Sequence, residues 1–317
     1  MRSPILAGAF LVLSLAVPAA GLASPPPTFV VTDPKGDDYG DGSLRYPLRP
    51  DLREGDLDLV EFAAEPSSDG TWFVVRFRRN VRLPGQRVVD YVGTSRDETA
   101  KLGFYTLNVD IYVDTDRIEG SGQTSTLPGR KLTIDPKTAW EKVISLSPQP
   151  DQAALTARRM LTSEAKAEVR ENKPRVDEED LKLAKKYVRQ MLESDFWFVR
   201  STQVLGRRIK FFVPSSFLGG HARPNWAYSV VVTGAVLEPR YDSTKLIGKA
   251  GLEDDFLLIP VGTGLSEDHF MGRDMDETQS PAVDVLVPEG QKQEEVLKNY
   301  DARTNVFAVL TGVVPKP

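Results

Sequence analysis

The sequence predicts an all-β fold, an antiparallel β-sandwich of jelly-roll or immunoglobulin-like type, interrupted by an inserted helical hairpin. Three observations lead there. Apolar residues recur at every second position in several short runs, clusters of Gly, Pro and Asp separate those runs, and one stretch alone switches to helical spacing. The chain has 317 residues, 40% hydrophobic and 27% charged, a balance that supports a packed core rather than a disordered polymer.

The strands follow in order. Thr28 to Thr32 is β-branched and aromatic. In Thr71 to Arg79, Phe73, Val75 and Phe77 share one face, with Arg76 and Arg78 on the other. In Phe104 to Asp114, Tyr105, Leu107, Val109, Ile111 and Val113 form an apolar face, opposed by Asn108, Asp110 and Tyr112. Ile209, Phe211 and Val213 align in Arg208 to Val213, and Tyr228, Val230 and Val232 do so in Ala227 to Leu237. Phe256 to Ile259, Val283 to Val287 and Asn305 to Val313 complete the set. Between Thr162 and Glu193 the pattern changes. Ser163 to Arg170 reads as a short helix stopped by Pro174. Asp177 to Asp180 then places acids at the start of a second helix, where they favour its dipole. Leu181, Ala184, Val188, Met191 and Leu192 fall on one face of it. These two form the predicted insertion, about residues 153–193, on a sheet edge or across one end. A further helix is expected from Glu289 to Tyr300, burying Val296, Leu297 and Tyr300.

The N-terminus reads as a secretory signal peptide over residues 1–23. Met1-Arg2-Ser3 precedes an apolar run from Pro4 to Val17, and Gly21-Leu22-Ala23 supplies small residues for cleavage. A proline spacer at 24–27 then leads into one domain over 28–317. This predicts export to the periplasm, cell surface or medium. The rest of the chain has no second long apolar run, hence no transmembrane segment in the mature protein. Cleavage would remove Arg2 and no acid, so a formal net charge of −5 becomes slightly more negative. Such a chain has no basic stripe for nucleic acid. There is no Cys, which removes thiol chemistry and disulfides and leaves stability to core burial or a bound metal. The two His, His221 and His269, lie in loop-like stretches. Neither a His-rich zinc site nor a hydrolase motif of the G-x-S-x-G or H-E-x-x-H kind is present, so the chain is expected not to be an enzyme.

Acidic residues carry the chemistry instead. Asp33, Asp37, Asp38 and Asp41 crowd into DPKGDDYGDG with three glycines. Such crowding repels unless a cation intervenes, and calcium accepts six to eight oxygens in flexible geometry. Asp/Gly loops are also ordinary turns. Asp58 precedes an apolar run, and Asp114 and Asp116 end another, flanking Thr115 so that both carboxylates face one side. Together these seven are the predicted metal ligands. Trp197, Trp226 and Tyr228 are the aromatics that would stack on a sugar ring, although most such residues serve core packing. Tyr39 and Tyr46 have no stronger claim.

Several stretches resemble, in order, the calcium-binding β-sandwich module at the C-terminus of glucodextranases, a DOMON-like, carbohydrate-module-like domain. They are DPKGDDYGDGSLRYP (Asp33 to Pro47), GDLDLVEF (Gly55 to Phe62), NVDIYVDTD (Asn108 to Asp116), LPGR (Leu127 to Arg130) and AWEKVI (Ala139 to Ile144). RIKFFVPSSFLGG (Arg208 to Gly220), WAYSVVVTG (Trp226 to Gly234) and SPAVDVLVPEGQKQEEVL (Ser280 to Leu297) follow. The resemblance implies calcium binding, a polysaccharide or cell-envelope partner and no catalysis. The helical insertion departs from it. A periplasmic or surface structural module that meets a protein partner through that insertion is the alternative.

Overall fold

The computed structural model describes residues 26–87, 93, 95–173, 175–237, 257–273 and 279–316. The predicted signal peptide, the first part of the proline spacer, Pro174 and Phe256 lie outside them. The chain opens with β1 (Phe29–Thr32), β2 (Leu59–Pro66) and β3 (Gly70–Phe77). One turn of helix, α1 (Arg96–Thr99), precedes β4 (Leu107–Asp114), β5 (Leu132–Ile134) and β6 (Lys142–Leu146). Two long helices follow, α2 (Pro150–Asn172) and α3 (Glu178–Asp195). Then come β7 (Phe196–Phe198), β8 (Thr202–Leu205), β9 (Arg208–Pro214), a short α4 (Ser215–Leu218) and β10 (Ala227–Gly234). Last are β11 (Val261–Gly262), β12 (Phe270–Met271), β13 (Ala282–Val285), α5 (Gln293–Leu297) and β14 (Ala308–Leu310).

Two five-stranded sheets dominate, ordered β1-β2-β3-β9-β8 and β13-β10-β4-β6-β7. Their apolar faces share one core. Phe62, Phe73 and Phe211 from the first sheet and Val109, Ile111, Tyr228 and Val230 from the second belong to one buried cluster. The rings of Phe62 and Tyr228 meet with centroids 5.5 Å apart. The two-residue period therefore identified the inner faces in β3, β4, β9 and β10, except that Tyr105, expected on the β4 core face, lies before that strand and packs with Ala100 and Leu237, while Phe104 joins the shared core.

The outer face of β4 differs from a solvated face. Asn108, Asp110 and Tyr112 are all buried beneath a second apolar cluster that includes Trp140, Leu132, Ala308, Ala153 and Phe196. With both faces buried, Asp110 and Tyr112 take partners from within the protein, whereas Asn108 Oδ1 has none. Asp110 forms a fully buried ion pair with Arg130 at 2.6 Å and accepts from Ser145 Oγ at 2.8 Å. Tyr112 Oη accepts from Leu127 N at 2.9 Å.

The helical insertion is present and longer than its sequence signals. It spans Pro150 to Asp195 rather than about 153–193, and α2 begins at Pro150 rather than Ser163. Pro150 sits at the helix start, where its missing N–H is not needed, and small Ala153 and Ala157 seat that first half against the sheet. The α2–α3 hairpin connects β6 to β7, which pair in parallel; a parallel pair requires a long crossover of this kind. The second sheet is thus mixed, not purely antiparallel. Asp177 caps α3 by accepting from Asp180 N at 2.9 Å, and Ala184 and Val188 bury its inner stripe.

Smaller corrections concern element ends. The expected helix over Glu289 to Tyr300 shortens to Gln293–Leu297, although Leu297 and Tyr300 are buried as expected. Residues 257–259 form no strand, and Leu258 makes an isolated bridge with Ala235. Strand β2, noted in the sequence only as the apolar run after Asp58, and strands β6, β7 and β8, unread there, complete the sheets. Among the described residues no helix is long and apolar enough to cross a membrane.

A buried carboxylate cluster between two sheets

Three segments converge at the β1–β13 edge. The Asp33–Asp38 loop leaves β1, the Asp56–Asp58 turn enters β2, and Asp284 lies within β13. Gly36 and Gly40 take positive φ of 82° and 58°, a backbone that glycine adopts without strain. A Cβ on Gly40 would also stand 2.6 Å from Leu44 Cδ1.

The placement of Asp284 depends on a bulge. In the β10–β13 register Val232 faces Asp284 and Thr233 faces Ala282, so Val283 is an extra residue. Bulges re-aim side chains in this way. Val232 belongs to the shared core, and directly opposed residues share a face; Asp284 therefore points between the sheets. Its Oδ2 accepts from Leu59 N in the first sheet at 2.6 Å. The bulged Val283 carbonyl accepts from Gly40 N at 2.9 Å and from Gln293 Nε2 at 3.2 Å. Gln293 Nε2 also reaches Asp37 O at 2.6 Å, while its Oε1 accepts from Val285 N at 2.7 Å. One buried glutamine thus ties the acidic loop to β13.

Asp33, Asp37 and Asp284 each present a carboxylate oxygen, and the three atoms lie within 4.8 Å of one another. Asp38 and Asp58 adjoin them. Asp38 Oδ2 accepts from Gly55 N at 2.7 Å and from Tyr46 Oη. Asp58 Oδ2 accepts from Gly36 N at 2.6 Å and from Arg78 at 3.4 Å. In Asp38, Asp58 and Asp284, one oxygen is anchored by protein donors. The other oxygen of each, with Asp33 Oδ2 and Asp37 Oδ1, is buried and accepts no hydrogen bond. Five such buried oxygens are costly, because buried polar groups are otherwise satisfied.

Protonation responds accordingly. Burial, then the charge of Asp37, raises the Asp33 carboxyl from 3.8 to about 8. Burial likewise raises Asp37 and Asp58 to about 6. Asp284 rises well above the usual range through complete burial and the charges of Asp33 and Asp37. Asp38 also rises by burial, against the hydrogen bonds from Tyr46 and Gly55. An all-oxygen, anionic donor set of this kind suits a hard cation, not the nitrogen- and sulfur-seeking metals.

The remaining sequence-predicted ligands lie elsewhere. Asp41 is buried, but it accepts from Ser43 N, Ser43 Oγ and Gln279 Nε2 and pairs with Arg273. All its capacity is used by protein donors. Asp114 and Asp116 form a separate group with Glu141. Val109 faces Val232 in the β4–β10 register, so Asp284 and Asp114 are five residues apart along the sheet, roughly 16 Å at the strand rise. Asp114 and Asp116 therefore do not complete the first site. Their oxygens accept from Arg117, Ile118 N and Ser121 Oγ, and Glu141 accepts from Thr115 N at 2.7 Å. Of the aromatics, Trp226 and Tyr228 are core residues, 4% and 0% exposed, so neither presents a face to a ligand. Tyr228 Oη donates to Arg223 O. Trp197 is half-buried against Phe217. His221 is exposed and His269 half-buried.

Sequence reasoning missed Asp284 and Gln293. The available signal was a single acid inside the apolar run Ala282 to Val287, since lone charges are almost never buried without a partner. Residues 28–312 match the protein family described as the C-terminal binding-module, SLH-like, of glucodextranase. No curated protein matches the chain closely.

Proposed function

Because the chain belongs to the family of glucodextranase C-terminal binding modules, we propose that it is an exported, non-catalytic β-sandwich that binds calcium between its sheets and holds a polysaccharide or cell-envelope component. The family is a binding module rather than a catalytic domain. One observation carries the calcium reading. Five buried carboxylate oxygens, from Asp33, Asp37, Asp38, Asp58 and Asp284, lack hydrogen-bond donors at the junction of the two sheets.

Calcium would supply the positive charge that this oxygen set lacks. The protein's own part is preorganisation. Gly36 N, Gly55 N, Leu59 N and Tyr46 Oη each hold one carboxylate in place, and Gln293 fixes the loop backbone. Since β1 and β2 belong to one sheet and β13 to the other, an ion there cross-links the fold. The ligand-binding role is tested by retention on a panel of insoluble polysaccharides and a glycan array, with calcium and with chelator. Retention by at least one glycan, weaker with chelator, is expected. No retention under either condition, with a protein partner captured by cross-linking through the helical hairpin, would overturn the glycan reading.

A further inference from the structure

The helical hairpin sorts its charges. Residues 150–195 contain ten Lys and Arg and ten Asp and Glu, so the insertion has no formal net charge. A groove of about 770 Å³ between α2 and α3 is nevertheless lined by cations and no acid. Arg158, Lys166 and Arg170 come from α2, and Lys185, Lys186 and Arg189 from α3. Within the described residues no ion pair occupies any of these six; Lys182, also in the lining, pairs with Glu178 at 3.0 Å. The spacing explains the sorting. Positions 158, 162, 166 and 170 on α2 and 182, 185, 186 and 189 on α3 each follow one helical face. Four of the hairpin acids, Asp177 to Asp180, are drawn to the start of α3, where the helix dipole favours them.

Six uncompensated cations on a protein of net charge −5 repel one another, and a negatively charged occupant removes that repulsion. The groove runs from Arg158 to Arg170, roughly 18 Å of helix, so it suits an extended anion better than a single ion. No aromatic side chain lines it, which removes the stacking platform that single-stranded nucleic acids use. Its concavity sets the cations back from a flat bilayer. The exposed Leu183 and Tyr187 sit about 100° round α3 from Lys182 and Lys186, not beside the cations as an interfacial helix requires.

We infer that the α2–α3 groove binds a stretch of acidic polysaccharide, its carboxylate or phosphate groups spaced along the groove cations. This rests on the glycan-binding reading above and names the charge class of the glycan and the surface that takes it.

Full-length protein with calcium is assayed against carboxymethyl-dextran and against unmodified dextran of equal length, which differ in charge alone. Binding to the charged polymer at least tenfold tighter than to the neutral one is expected, and it weakens as salt screens the exposed cations. The Lys185→Gln/Lys186→Gln/Arg189→Gln variant is expected to lose at least tenfold in affinity with an unchanged melting temperature. A Lys292→Gln/Lys298→Gln control should behave as wild type. Equal binding of the two polymers, or an equal loss in the control, would overturn the inference. So would binding to anionic phospholipid vesicles or duplex DNA with none to carboxymethyl-dextran. Retention of neutral glycans alone would remove the groove proposal and leave the module reading standing; retention of none would remove both.

Discussion

Asp284 has the fewest ways to be neutralised. It is wholly buried, its Oδ2 takes the Leu59 N–H, and its Oδ1 takes nothing. Asp284→Asn keeps an acceptor for Leu59 and removes a carboxyl whose ionisation burial, Asp33 and Asp37 all oppose. In chelator at pH 8 the variant is expected to melt higher than wild type, by about 3 °C if roughly 1 kcal/mol of repulsion is relieved. Added calcium should no longer raise its melting temperature. A variant that melts lower and still responds to calcium would contradict this role. The Arg130–Asp110 pair is the opposite case, since each charge already has its partner. Arg130→Met leaves Asp110 buried without its cation, and should destabilise by about 3–5 kcal/mol while the calcium response survives, as urea titrations would show. The pH dependence follows from the raised carboxyls. Between their ordinary value of 3.8 and about 6 for Asp37 and Asp58, or about 8 for Asp33, the metal-free folded state holds more protons than the unfolded chain. Stability then falls as pH rises through that window. Melting in chelator should decline from about pH 4 towards pH 8, and saturating calcium should remove most of the decline, because metal binds the deprotonated groups.

At the scale of elements, the α2–α3 hairpin both closes a parallel strand crossover and covers the outer cluster through Ala153, Ala157 and its neighbours. Val188, 1% exposed, is its inner seat on α3. Val188→Asp is expected to cost about 3 kcal/mol, as burial of an unpaired charge does. Proteolysis should then cut first within 150–195, with calcium binding retained. Loss of calcium binding in that variant would show that the hairpin and the metal site fold as one unit. Legibility in the sequence follows the same physics. Strands β3, β4, β9 and β10 were readable because apolar residues fill every second position on the core face, even though both faces of β4 and β10 are buried. β7 is only Phe196-Trp197-Phe198 and has no alternation to read. The first turns of α2 were missed because their inward residues are alanines, too small to mark a stripe. The acidic loop was legible from its crowding. Nothing in the sequence shows which end of a strand meets which loop, so Asp114 and Asp116 were grouped with it, while Asp284 passed as part of an apolar strand.

Across the whole molecule, one sheet supplies Asp33 and the turn before β2, and the other supplies Asp284, so an ion between them acts on the union of the sheets. A ligand that binds only the folded state stabilises by mass action, by about 2.7 kcal/mol at a hundredfold excess over Kd. The most direct measurement is titration calorimetry of calcium into the metal-free protein near pH 7, repeated in two buffers of different ionisation enthalpy. The expected result is saturable binding with proton release, because the raised carboxyls must give up protons to the ion. It should be abolished by Asp33→Asn/Asp284→Asn and unchanged by Asp116→Asn. Absence of calcium binding to the folded wild type, or equal binding by the double variant, would contradict the account.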